Sequence, residues 1–187
     1  MVQVALREGS STKVYANKMR AELELLEEQG VLAVGNAFSP ILFVKGKPTD
    51  EERAGAAPFC GADGKALRAS IQALGYAPED WAAMATWRED GSRLDEALFR
   101  QAIAAFAPFT LVICDEEAAA VARDAFANDL VLVNDLESAM LMAGYVVRVG
   151  GMRVLNLGGF ADALGSARDK QLMWARLKQI PPLGEPY

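Results

Sequence analysis

The sequence predicts an α/β protein in three layers, α/β/α, with helices on both faces of a central and mostly parallel sheet. Three observations lead there. Short apolar runs at 41–44, 109–114 and 130–133 are too short and too uniformly apolar for anything but buried strands. Segments of helical periodicity alternate with them, the order that builds a parallel sheet. Finally, no repeat, low-complexity tract or long linker interrupts the 187 residues. Residues 1–187 therefore read as one domain, with an N-terminal helix over about 12–29 and a core over about 36–180.

Taken in order, Tyr15, Met19, Leu23 and Leu26 recur at helical spacing, and Gly30 supplies the stop. Pro40 opens the first strand, and a loop rich in glycine, proline and charge follows from Lys45 to Ala62. Asp63 is read as the cap of a helix whose Leu67, Ile71 and Leu74 share one face and whose end is Gly75. Residues 81–87 read as a second strand, and Ser92 with Asp95 as a capping box for a helix ending before Pro108. Asp115 caps the helix after 109–114, with Glu116 and Glu117 well placed in its first turn. A short helix is expected at about 136–143, then a hairpin of 145–149 and 152–157 around Gly150-Gly151. Ser166 starts a last helix carrying Leu172, Met173, Leu177 and Ile180, stopped by Pro181-Pro182.

Composition removes several chemistries. The chain has no histidine, so imidazole is excluded as base, electrophile or metal ligand. Two cysteines, Cys60 and Cys114, cannot make a four-thiolate site, and both are expected to be buried and reduced. The net charge is −6, and residues 61–120 hold 5 basic against 10 acidic side chains. That is not the balance of a general polyanion binder, although Arg148, Arg153, Arg168 and Lys170 offer a local basic face. No apolar run nears the roughly 20 residues of a membrane-spanning helix, and the opening MVQVALREGSS lacks a secretory apolar stretch. The expected setting is cytoplasmic, with no membrane partner and no metal or cofactor assigned.

Ligands of a parallel sheet bind beyond the carboxyl ends of its strands, which selects the loops starting at Lys45, Arg88, Asp115, Asn134 and Gly158. Those at 45–62, 88–93 and 158–165 are expected to converge at one edge. From Gly35 to Leu67 the chain reads GNAFSPILFVKGKPTDEERAGAAPFCGADGKAL. This stretch resembles the first signature region of the uracil-DNA glycosylase superfamily, above all its thermophilic iron–sulfur branch. Members show a buried strand ending in Gly-Glu-Ala-Pro-Gly, an acidic stretch, then Arg-Pro-Phe-x-Gly-x-x-Gly opening a helix. Phe43-Val44 matches the strand end, Pro48 the proline of the turn, and Pro58-Phe59, Gly61 and Gly64 the entry to the helix. The resemblance extends, more faintly, to about Lys178. It implies a uracil-DNA-glycosylase-like fold and a pocket for a flipped base, with Phe59 as its stacking residue.

The departures fall on the chemistry. Gly46 stands where the family keeps its water-positioning acid, and Lys45 and Lys47 replace the small residues around it. The cluster cysteines are missing, and so is the histidine of the family's third motif, where this chain reads VLNLGGF from Val154. Asn156 and Gly158 are distantly similar to the Asn-Pro-Ser-Gly loop of the mismatch-specific branch, whose intercalating basic residue falls near Asp162 here. The pocket implied by the resemblance is thus Gly46, Pro48, Phe59, Asn156 and Gly158; Lys45 and Lys47 are candidate phosphate contacts, and Glu52 is the weak candidate for a relocated acid. More mundane readings stand beside these: a core phenylalanine, an amide at a strand end, a solvated acidic loop.

Three functions remain open at this point. One is a superfamily member without glycosylase activity that binds a base, a nucleotide or nucleic acid, or a protein partner. Another is an active DNA glycosylase of base-excision repair with relocated catalytic groups. The third is an unrelated doubly wound domain using 45–62 for a phosphorylated ligand, which the absence of Walker or Rossmann glycine spacing disfavours. The zero-histidine count and Gly46 favour the first, and the enzyme assignment leans to no. Oligomeric state is open.

Overall fold

The computed structural model describes residues 20–182. Helix α1 occupies 20–28; the portion of the expected 12–29 helix before it lies outside the described residues. Then come β1 (Ala33–Gly35), β2 (Ile41–Lys45), the single turn α2 (Asp50–Arg53), α3 (Ala62–Ala73), β3 (Trp81–Ala85), α4 (Glu96–Phe106), β4 (Thr110–Ile113) and α5 (Glu116–Ala125). The short helices α6 (Ala127–Leu130) and α7 (Leu136–Ala139) lead to the hairpin β5 (Val146–Val149) and β6 (Met152–Asn156), and α8 (Ala167–Leu177) closes the fold.

The six strands lie in the order β1-β3-β2-β4-β6-β5. The inner four, β3, β2, β4 and β6, are parallel, and β1 and β5 flank them antiparallel. Every residue of β2, β3 and β4 is buried, as a sheet covered on both faces requires. Leu42, Val44, Leu111 and Ile113 pack on one side with Phe99 and Ile103 of α4 and Ala118 and Ala122 of α5. Ile41, Phe43 and Val112 pack on the other with Leu67 and Ile71 of α3 and Met173 and Leu177 of α8. Alternate side chains of each strand thus feed two cores, which gives the α/β layering.

The parallel strands end level with one another. Lys45 pairs with Ala85, Val44 with Ile113, and Ile113 with Asn156. The connections leaving β2, β3, β4 and β6 therefore start from one edge, where the exposed Lys47 reaches Asp162 at 3.5 Å.

Several expectations need correction. Residues 130–133 are not a strand: they finish α6 and its following turn, with Val131 N–H donating to the Ala127 carbonyl and Val133 N–H to that of Leu130. Leu130 is buried and Val133 half-buried, whereas Val131 and Leu132 are 78% and 79% exposed; inward positions three apart belong to a helical turn, not to a strand. The helix at 136–143 shrinks to a single turn, and the 81–87 strand stops at Ala85. Gly61, not Asp63, caps α3, and Asp95 caps α4 by accepting from Leu98 N–H, while Ser92 bonds Asp90 instead. Asp115 and Ser166 cap α5 and α8 as expected. Cys60 is exposed, and only Cys114 is buried.

Solvent-facing Val131 and Leu132 tolerate polarity, so Val131→Ser and Leu132→Ser should each change the urea-unfolding free energy by less than about 0.5 kcal/mol. Leu130→Ala, which empties a core position, should cost about 2–5 kcal/mol; a buried strand would make all three substitutions costly.

Candidate functional site

Strand β2 runs Ile-Leu-Phe-Val-Lys, and its last residue breaks the apolar run without leaving the interior: Lys45 is 3% exposed. A buried ammonium needs partners for its charge and its three protons. Glu52 supplies both carboxylate oxygens, Oε1 at 2.9 Å and Oε2 at 2.7 Å from Lys45 Nζ, and Asp63 supplies Oδ2 at 2.5 Å. The Phe59 ring lies 5.3 Å from the same nitrogen, within cation–π range. Burial alone pushes the Lys45 ammonium toward the neutral amine, but bonding and attraction to Asp63 and Glu52 outweigh it and hold its pKa above the usual 10.5.

Glu52 reaches this position through a capping box. Thr49 accepts from Glu52 N–H and Glu52 Oε2 accepts from Thr49 N–H at 2.7 Å, fixing α2. Its other oxygen takes the Phe59 N–H at 2.7 Å as well as Lys45. With three donor groups making four contacts to its two oxygens, the carboxylate has no acceptor site left to hold a water. Asp63, in the first turn of α3, bonds Gly64 N–H through its other oxygen.

Phe59 sits between these groups with φ of +59°, a left-handed conformation that costs a bulky residue about 1–3 kcal/mol. Its N–H is held by Glu52, Arg68 donates to its carbonyl, and its ring is 1% exposed in the core that also holds Leu157 and Phe160. Gly64 makes the arrangement possible: a Cβ there would lie 1.7 Å from the Phe59 carbonyl oxygen.

A second carboxylate closes the neighbouring turn. Asp115 Oδ1 accepts from Gly46 N–H at 3.0 Å and from Ala118 N–H at 2.8 Å, and Oδ2 from Gly46 N–H at 2.9 Å and Lys47 N–H at 3.1 Å. Burial raises the Asp115 pKa, and these amide bonds only partly oppose it. The turn therefore lies directly on the first turn of α5. A Cβ on Gly46 would stand 2.2 Å from Ala118 N and 2.6 Å from Glu117 Cβ. Gly46 is thus fixed by lack of space for any side chain.

The other residues singled out in the sequence are also engaged. Asn156, 1% exposed, donates to the Leu141 carbonyl at 2.6 Å and accepts from Gly158 N–H at 2.8 Å, so its amide pins the end of β6 to a neighbouring turn. Gly158 has φ of +89°, and a Cβ there would meet Ala143 and Arg176. As a phosphate contact Lys45 is corrected: all its protons are taken by carboxylates. Lys47 remains exposed beside Asp162. Gly46 and Pro48 line a cavity of about 260 Å³ with Trp87, Arg93 and Glu117. A larger cleft of about 1050 Å³, between α1, β1, residues 53–58 and the 87–91 turn, also touches Pro48 and Glu52. Phe59, Asn156 and Gly158 line neither.

Among the described residues no three Cys, Asp or Glu side chains are placed to hold a metal ion, and no helix is long and apolar enough to cross a membrane. Asp63 and Asp115 were absent from the site expected from sequence, and the Thr49-x-x-Glu52 capping box was missed although its local spacing could have shown it; the two aspartates act across 18 and 69 residues. Compared with protein-family models and with curated proteins, the chain matches neither.

Removing the cation tests the cluster. Lys45→Met strands two carboxylates in the core and should cost about 3–5 kcal/mol at neutral pH. Because the folded pKa of Lys45 is raised, its contribution is complete below 10.5 and is lost as pH climbs through the folded value. The difference in unfolding free energy between the wild type and Lys45→Met should therefore narrow above that pH; a difference that stays constant would contradict a charged, paired Lys45.

Proposed function

We propose that this chain is a uracil-DNA-glycosylase-like domain that has lost base excision and works as a binding domain, for a protein partner in preference to a free base or nucleotide. The observation that carries the reading is Gly46, which lies against α5 with no room for a side chain and with its amide held by Asp115. Base excision needs a group that positions water and a donor for the departing base anion. The first is missing at Gly46, and the chain has no histidine for the second. Glu52, the one candidate substitute, is saturated by Lys45, Thr49 and Phe59.

The preference for a protein partner follows from Phe59. Stacking on a flipped base requires an open aromatic face, and this ring is in the core. The α/β layering, Pro48 and the Pro58-Phe59, Gly61 and Gly64 entry to α3 support kinship with the glycosylases, and the lack of room at Gly46 supports loss of their chemistry. An active glycosylase with relocated groups finds no free carboxylate in this cluster.

Excision from uracil-containing single- and double-stranded DNA tests the reading. Loss of one preorganised donor costs about 3–4 kcal/mol, or about 10²–10³ in rate, so with both groups gone no product should form where an active glycosylase completes the reaction. Robust excision that disappears in a folded Glu52→Gln variant would replace this proposal with the relocated-site enzyme.

A further inference from the structure

The apolar run at 130–133, which the sequence presents as a buried strand, begins a surface feature. Among the described residues ten large hydrophobic side chains are exposed, and six of them lie between 131 and 145: Val131, Leu132, Leu136, Met140, Met142 and Tyr145, each 44–79% exposed. Single exposed apolar residues are ordinary, but such a concentration marks an interaction surface. The backbone beneath is firmly held. Met140 N–H bonds the Leu136 carbonyl, Met142 N–H that of Glu137, and Tyr145 N–H that of Met142. Leu130 and Leu141 are buried anchors, and Asn156 ties the Leu141 carbonyl to the end of β6. Leu136 and Met140, four apart, share one side of the α7 turn, and the methionines supply adaptable contact surface.

Charge selects the occupant. Residues 124–147 contain Asp124, Asp129, Asp135 and Glu137 and no lysine or arginine; Asp124 is paired with Arg93 at 2.7 Å, which leaves Asp129, Asp135 and Glu137 as the acidic side chains of the stretch. Arg123, at the near end, is already bonded to Glu116 and to the Met140 carbonyl. With Asp129, Asp135 and Glu137 in the same stretch as the apolar side chains, the surface disfavours nucleic acid and anionic lipid, and a two-fold contact with a second copy would bring like charges together. It fits a segment with apolar residues on one side and basic residues around them.

We infer that the 131–145 surface is a docking site for a basic amphipathic helix of a partner protein. The helix would set its apolar side chains on Leu136, Met140 and Met142 and its lysines or arginines against Asp129 and Glu137. This inference does not depend on the glycosylase comparison, since none of these residues belongs to the Lys45 cluster.

The test uses the full chain and two labelled synthetic helices of about 14 residues, one of leucine and lysine and the other of the same pattern with glutamate for lysine. Fluorescence anisotropy should show saturable binding of the leucine–lysine helix, at least about tenfold tighter than its acidic counterpart and weakened by salt. Leu136→Ser with Met140→Ser should reduce that affinity by about tenfold or more, whereas Phe38→Ser, another exposed apolar position, should leave it unchanged. Asp129→Lys with Glu137→Lys should reverse the preference between the two helices. Equal binding of both helices, or binding unaffected by the Leu136 and Met140 changes, would overturn the inference. So would light scattering that reports a dimer dissociated by those same changes, because the surface would then belong to a second copy.

Discussion

Between Glu52 and Asp63, the Lys45 ammonium holds the loop after β2 in place, and much of the sheet's carboxyl edge is arranged around it. Burying three charges is costly, and the cost is offset only when each has its bonds made. Here each does. Glu52 is delivered by its capping box with Thr49, Asp63 by the first turn of α3, and Lys45 by the end of a strand that cannot shift without breaking its pairing with β3 and β4. Losing the Lys45 ammonium would leave both buried carboxyl groups without their shared partner. The cluster also explains Phe59: Glu52 binds the phenylalanine's amide and keeps its backbone left-handed while the ring fills the core beneath.

Asp115 does for the turn at Gly46 what Glu52 does for the loop beyond it. Together the two carboxylates take eight protein donor contacts, from Lys45, Thr49 and Phe59 on one side and Gly46, Lys47 and Ala118 on the other, with Lys45 bonding both oxygens of Glu52 and Gly46 both oxygens of Asp115. At this edge of the parallel sheet, where ligands ordinarily bind, the amides of Gly46, Lys47 and Thr49 are paired internally, although Gly46 and Pro48 still line a cavity of about 260 Å³. The surface at 131–145 departs from this pattern: its backbone is satisfied and its apolar side chains are not covered.

What the sequence made legible follows from range. Strands at 41–44 and 109–114 were readable because burial on both faces leaves an unmistakable apolar run, and the caps Asp115 and Ser166 because a cap acts within three residues. Strand β1 was not, since Ala-Val-Gly at a sheet edge carries neither periodicity nor length. The run at 130–133 misled for a physical reason: composition reports that residues are apolar, not that the folded chain covers them. The candidate site divides the same way. Phe59, Gly46 and Glu52 were found because they lie in one short signature stretch, but their roles are set by Asp63 and Asp115, whose positions only the tertiary fold brings near.

Native-state hydrogen exchange read residue by residue bears most directly on a closed, ion-clustered edge. The amide protons of Gly46, Thr49 and Phe59 all end on the carboxylates of Asp115 and Glu52. If the cluster is part of the core, these three amides should exchange as slowly as those of β4, through global unfolding. Exchange orders of magnitude faster than in β4, with the strands still protected, would mean that the loop opens on its own. The Lys45 cluster would then be a separately opening part of the edge rather than part of the core.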